Sequence, residues 1–199
     1  GNAFAPADVL HQLATDTERD VREEVAGNSA APDDVLRRLA ADPDPDLRGR
    51  VAGNSAAPDE ALRQLAGDPD PEVRKVVARN ASAPGDVLHQ LATDTDPYIR
   101  RSVALCAAAP HLLRALAADP DLREMVAQNS AAPDDVLRQL AEDPGRLVRP
   151  AVASNEATPV DLLRRLASDP DPEVRKEVAW EESAPDDVLR RLAADPDPN

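Results

Sequence analysis

Residues 31–56 read APDDVLRRLAADPDPDLRGRVAGNSA, and residues 57–82 read APDEALRQLAGDPDPEVRKVVARNAS. The second stretch is the first again with conservative changes, and the same frame opens at residues 5, 31, 57, 83, 109, 132 and 158, with a partial copy from 184. The step is 26 residues except between 109 and 132, where it is 23. The short copy, 109–131, lacks one residue before Leu113 and two before Leu122. Self-similarity at a fixed period of this size marks stacked supersecondary units that cannot bury their apolar faces alone. The whole of 1–199 is therefore expected to be one repeat array, with 1–4 the tail of a preceding repeat. Neither end has a polar capping repeat of the kind that closes such arrays, which predicts a piece of a longer one.

Each repeat encodes two short helices. In 31–56 the first is expected from about Pro32 to Ala41, with Pro32 at the first helical position, where a missing N–H costs nothing. Asp33 and Asp34 place negative charge on the positive end of the helix dipole. Val35, Leu36, Leu39 and Ala40 form the buried stripe. Asp42-Pro43 ends this helix, Asp44 can cap the second, and Pro45 opens it. Leu47 and Val51 carry the second helix inward, and Asn54 suits the left-handed position that ends many helices. Helices this short are unstable in isolation, so stacking must supply the stability.

The pattern of a Pro, then LxxLA, a DP turn and VRxxVAxN stands here as Pro58, Leu62, Leu65-Ala66, Asp68-Pro69, Val73-Arg74 and Val77-Ala78-Arg79-Asn80. In this the chain resembles the leucine-rich repeat variant family, whose repeats are similar to HEAT and armadillo solenoids. HEAT repeats themselves run longer, to about 40–47 residues. The resemblance implies an all-α, right-handed solenoid without β-sheet, with one helix of each pair of the 3₁₀ kind. The iron–sulfur cluster associated with the family's founding member needs a cysteine-rich segment, and Cys106 is the one cysteine here, so no cofactor carries over.

Composition narrows the function. The net charge is −15, which disfavours general phosphate binding. A single cysteine excludes an internal disulfide and a cysteine-only metal site. No apolar run approaches the length of about 18 residues that a membrane helix needs, and no signal segment opens the chain, so a cytoplasmic protein is expected. His11 and His89 occupy one column three repeats apart, too far for a shared metal. No nucleophile–base pair, glycine-rich phosphate loop or HExxH motif occurs, so no enzyme is expected.

Two polar columns read as structural. Arg recurs at 22, 48, 74, 100, 123, 149 and 175, and Asp at 16, 42, 68, 94, 119, 143, 169 and 195. An Arg fork beside the buried arc can reach a turn carboxylate in its own or the next repeat. An Asn column comprises Asn2, Asn28, Asn54, Asn80, Asn129 and Asn155, interrupted by Cys106 and Glu181. Helix termination explains it, and a ladder that holds a bound peptide backbone is the functional alternative.

At about 100° per residue, two second-helix columns point away from the core. One reads Gly27, Gly53, Arg79, Leu105, Gln128, Ser154, Trp180, and the other Glu24, Arg50, Val76, Ser102, Met125, Ala151, Glu177. Their chemistry varies and includes large apolar groups, whereas the first-helix column His11, Arg37, Arg63, His89, Arg114, Arg138, Arg164, Arg190 stays basic. A non-catalytic scaffold that binds a protein or peptide across the second helices is therefore expected, using Arg50, Val76, Arg79, Leu105, Met125, Gln128 and Trp180, with Asn54, Asn80 and Asn129 on the ladder. Nucleic-acid or acidic-partner binding through the Arg/His stripe is one alternative, and an architectural spacer is another. The exposed apolar groups also allow self-association. The short repeat predicts a bend near 107–121, and Pro150 predicts a kink or 3₁₀ segment in its helix.

Overall fold

The computed structural model describes residues 5–194, and every regular element among them is an α-helix. The Asn2 and Asp195 members of the columns, and the tail 1–4, lie outside the described residues. The chain divides into two compact units, one ending at Cys106 and the other beginning at Ala107. The first contains α1 (Ala7–Leu13), α2 (Arg19–Ala26), α3 (Asp33–Leu39), α4 (Pro45–Ala52), α5 (Asp59–Leu65), α6 (Pro71–Arg79), α7 (Gly85–Leu91) and α8 (Pro97–Cys106). The second contains α9 (Pro110–Leu116), α10 (Arg123–Gln128), α11 (Asp134–Leu140), α12 (Val148–Ala153), α13 (Val160–Leu166), α14 (Pro172–Trp180) and α15 (Asp186–Ala193).

Within each unit the repeats stack through their second helices: α2, α4, α6 and α8 pack in series in the first, and α10, α12 and α14 in the second. Consecutive first helices touch much less. The VA step explains this. Ala26, Ala52, Ala78 and Ala104 are almost fully buried, and a methyl group lets neighbouring helix backbones approach closely. Leu36, Leu39, Leu47 and Val51 fill the layer of their repeat, as the periodicity predicts. Burying one such side chain contributes about 1.5–3 kcal/mol, and that burial, repeated layer by layer, holds helices that would melt alone.

The caps divide into two kinds. Four second helices begin as expected: the Asp44 carboxylate accepts from the Asp46 N–H at 2.9 Å, with Pro45 in the first turn, and Asp70, Asp96 and Asp171 act in the same way, whereas no side chain caps α2, α10 or α12. In the first helices Pro32 and its counterparts sit one residue outside, except Pro110, which opens α9 itself, and no side chain caps them. The first-turn aspartates there act on the dipole instead.

Three expectations are corrected. The implied 3₁₀ member of each pair is α-helical, with i to i−4 bonds such as Leu36 N–H to the Pro32 carbonyl at 3.0 Å and Arg48 N–H to that of Asp44 at 3.2 Å. Bonds from i to i−3 occur at helix ends and in the turns, for example Asn54 N–H to the Val51 carbonyl at 3.1 Å and Ala57 N–H to that of Asn54 at 3.0 Å. Second, Asn54 does not end its helix in the left-handed region. No described residue has positive φ, and Asn80 is extended at φ −75°, ψ 117°. Third, Pro150 does not lie in the interior of its helix. Its helix starts at Val148, later than its counterparts, which places Pro150 in the first turn, where its N–H would have had no helical partner.

Candidate functional site

The polar columns interlock repeats. Arg48 donates from Nε and Nη2 to both carboxylate oxygens of Asp68 in the next repeat, at 2.6 and 2.9 Å. Its Nη1 donates to the carbonyls of Asp42 and Pro43 in its own turn, at 2.9 and 3.1 Å. One guanidinium thus fixes two consecutive turns. Arg22 does the same to Asp42 (2.9 Å), Arg74 to Asp94 (2.7 Å), Arg123 to Asp143 (2.8 Å) and Arg149 to Asp169 (3.0 Å). The aspartate works twice as well: Asp68 also accepts the Asp70 N–H at 2.9 Å, shaping the turn. Burial pushes the carboxyls of Asp42 and Asp68 up, but the bonds from the Arg and from the turn N–H outweigh it and hold both below the usual value. For Asp94 the Arg74 bond is the largest influence, with the same net direction.

The Asn column is a second lock. The Asn54 amide donates to the Ala26 and Asn28 carbonyls of the preceding repeat at 2.8 and 3.0 Å, and its oxygen accepts the Ala56 N–H at 2.9 Å. Asn80 donates to Ala52 and Asn54, Asn129 to Ala107, and Asn155 to Ala127 and Asn129. Asn54 and Asn129 are buried and Asn80 is half-buried. These three side chains serve as inter-repeat struts, since their amide N–H groups hold main-chain carbonyls of the preceding repeat.

The first-helix stripe is largely neutralised from the next repeat. His11 pairs with Asp34 at 2.8 Å, Arg63 with Asp86 at 2.8 Å, Arg114 with Asp135 at 2.7 Å, Arg138 with Asp161 at 2.7 Å and Arg164 with Asp187 at 3.2 Å. Arg37 approaches Glu60 at 3.7 Å. The bond to the Ala7 carbonyl, and then that to Asp34, raise the His11 pKa. The paired aspartates are lowered, chiefly by their partners' hydrogen bonds.

The other candidate residues lie on the second helices, each unit taken by itself. In the first unit Arg50 is exposed and reaches Glu23 at 3.3 Å, Arg79 is exposed, and Leu105 is 44% exposed. Val76 is half-buried because it packs at the Gly53 position, where an added Cβ would lie 3.4 Å from its Cγ1. An open groove of about 540 Å³ crosses this face, lined by Arg19, Glu23, Gly49, Arg50, Val73 and Val76 among others. In the second unit Met125 is half-buried, Gln128 is exposed and bonds Glu124 at 3.2 Å, and Trp180 is 78% exposed. Val9, Val160 and Leu189 on the first helices are exposed apolar residues that escaped the sequence reading, and so are two in the second-helix segments, Tyr98 (65%) and Leu147 (60%). Both occupy the position before the buried second-helix anchor, which is acidic in the other repeats as Asp20, Asp46, Glu72, Asp121 and Glu173, and that contrast was the available signal.

A model described as leucine rich repeat variant matches residues 19–44 and 120–145, each a second helix followed by the next first helix and its turn. A solved structure described as a leucine-rich repeat variant with a novel repetitive protein structural motif is 31% identical, over 96% of this chain and 77% of that one, with a TM-score of 0.64. This chain belongs to the leucine-rich repeat variant family. Two engineered proteins are also similar, at 20% identity over 96% of this chain and 75% of theirs (TM-score 0.39) and at 19% over 94% and 96% (TM-score 0.33). Likeness at that level carries no argument. No curated protein sequence matches the chain. Membership of the leucine-rich repeat variant family accounts for the repeat scaffold. Among the described residues no helix is long and apolar enough to cross a membrane.

Proposed function

We propose that this leucine-rich repeat variant is a non-catalytic scaffold that binds a protein or peptide along the outward face of its second helices. The observation that carries the proposal is a contrast between faces. The first-helix face repeats one ion pair from layer to layer, while the second-helix face changes chemistry in each layer and keeps Leu105 and Trp180 in solvent. Large apolar groups on an otherwise polar surface are typical of contact sites, and Trp and Arg are over-represented among residues that dominate binding energy. The stripe reading, in which His11, Arg63 and Arg138 hold a nucleic acid or an acidic partner, is disfavoured because their charges are already matched. The test is affinity capture with the chain and with the Leu105→Ser, Trp180→Ser double variant. Loss of a captured partner supports the proposal. Equal capture by both overturns it and favours another face, and capture of nothing by either favours a spacer.

A further inference from the structure

We infer that the second-helix face of the first unit recognises an acidic peptide segment carrying an apolar anchor, through Arg79 and Arg101 flanked by Tyr98 and Leu105. This rests on the scaffold proposal and specifies its partner.

The starting point is an imbalance of charge. In a chain of net charge −15, carboxylates are plentiful. Every other basic side chain of α2, α4 and α6 has one: Arg19 with Asp46, Arg22 with Asp42, Arg48 with Asp68, Arg50 with Glu23, Arg74 with Asp94 and Lys75 with Glu72. Arg79 and Arg101 have none among the described residues, although both are exposed. Arg101 instead lies over the Tyr98 ring, 5.9 Å from its centroid. Helix α8, PYIRRSVALC, carries no carboxylate, unlike α2, α4 and α6.

The two cations lie on neighbouring helices. Gly27 meets Arg50 and Gly53 meets Val76, so a residue of one second helix packs against the residue 23 positions later. The same register places Arg79 against Ser102, which adjoins Arg101 and lies one turn from both Tyr98 and Leu105. Ser102 is small and buried, so it leaves the neighbouring exposed side chains uncovered. Tyr98 and Leu105 are seven residues apart on α8, about 10 Å along the helix, and bracket Arg101. Two uncompensated forks bind carboxylates well, an aromatic ring and a leucine bind an apolar side chain, and the acidic remainder of the protein repels alternatives that are anionic over a long stretch.

The test is selection from a random dodecapeptide library on the full chain, followed by fluorescence anisotropy with the enriched peptides. Enrichment of acidic sequences containing Leu or aromatic residues is expected. Their affinity should fall at least about tenfold for the Arg79→Glu, Arg101→Glu variant and also for Leu105→Ser. The Arg63→Glu, Arg138→Glu variant, with the same change in net charge on the first-helix face, should stay within about twofold. Circular dichroism melts establish that each variant is folded. Enrichment of basic or uncharged peptides that depend on Leu105 or Trp180 but not on Arg79 and Arg101 would overturn this inference and leave the scaffold proposal standing. If no enriched peptide depends on any second-helix residue, both fall. Tighter capture of a DNA oligonucleotide or of phosphatidylserine vesicles than of acidic peptides would also overturn it.

Discussion

Arg48 holds both carboxylate oxygens of Asp68, 20 residues away in the next repeat, and at the same time two carbonyls of its own turn. Its side chain is 14% exposed and that of Asp68 4%, so the pair is mostly out of water. Removing one partner strands a buried charge, which costs about 3–5 kcal/mol. Arg48→Ala is therefore expected to lower the urea midpoint strongly, and Arg48→Lys to recover little, because an ammonium cannot fork to a carboxylate and reach two carbonyls. Arg63→Ala, which breaks the exposed pair with Asp86, should move the midpoint far less. Equal losses at the two sites would contradict this account.

Asn54 gives a second, uncharged measure of inter-repeat coupling. Asn54→Ala leaves the carbonyls of Ala26 and Asn28 without their donor and the Ala56 N–H without its acceptor. Stranding buried polar groups costs about 1–3 kcal/mol each, less where water can enter. Asn54→Asp should be worse at neutral pH, because it turns a carboxylate oxygen toward two carbonyls. Chemical denaturation of the two variants checks the order.

Much of this was legible in the sequence because a repeat shows each structural rule several times. The Asp44 cap with Pro45, the buried stripe and the Arg and Asp columns all follow from period and chemistry. The register was not legible. Arg48 and Asp42 are as plausible a pair as Arg48 and Asp68 until the offset between layers is known, and that offset comes from how closely Ala52 and Ala78 let the helices approach. The same gap hid how far part of the candidate surface is covered. A helical wheel treats a helix as alone, so Val76 and Met125 read as outward, while both are half-buried, Val76 by packing at Gly53 of the neighbouring helix. The partners of the Asn column were hidden for a similar reason: they are main-chain carbonyls of another repeat, which no side-chain pattern advertises.

The pH dependence should have two arms of opposite sign. Asp42, Asp68 and Asp94 have folded pKa values below the unfolded value of 3.8, so the unfolded chain binds more protons as acid is added. Their stabilisation is present above about pH 4 and is lost as pH falls through the folded values. His11 is raised above 6.5, so its small contribution is present below that value and is lost as pH rises through the folded one. Thermal melts from pH 2 to pH 8 should show a steep acid arm and a shallow neutral one. In high salt the outer row, such as Arg138–Asp161, weakens, while the inner row, such as Arg48–Asp68, persists.

Two glycines should respond oppositely to Ala. Gly49 lies inside α4, and a Cβ there meets nothing within 4 Å. Gly49→Ala should stabilise by about 0.5–1 kcal/mol by restricting the unfolded chain and favouring helix. At Gly145 a Cβ would lie 2.8 Å from Asp143 Oδ1 and 3.2 Å from Val148 Cγ2. Asp143 is the anchor for Arg123, so Gly145→Ala should disturb that lock and destabilise. Paired denaturation curves decide both signs.

Trp180 separates binding from folding in the second unit. It is the one tryptophan of the chain and is 78% exposed. Its emission should therefore lie close to that of indole in water and be readily quenched by acrylamide. Because so little of the ring is buried, Trp180→Ser should change stability by no more than about 0.5 kcal/mol. If the second-helix face binds a partner there, saturation should shift the emission to the blue and protect it from quencher, and the Ser variant should lose affinity without losing its fold. A large stability loss in Trp180→Ser would instead make the ring a structural cover. An unshifted spectrum at saturation would move the contact away from α14.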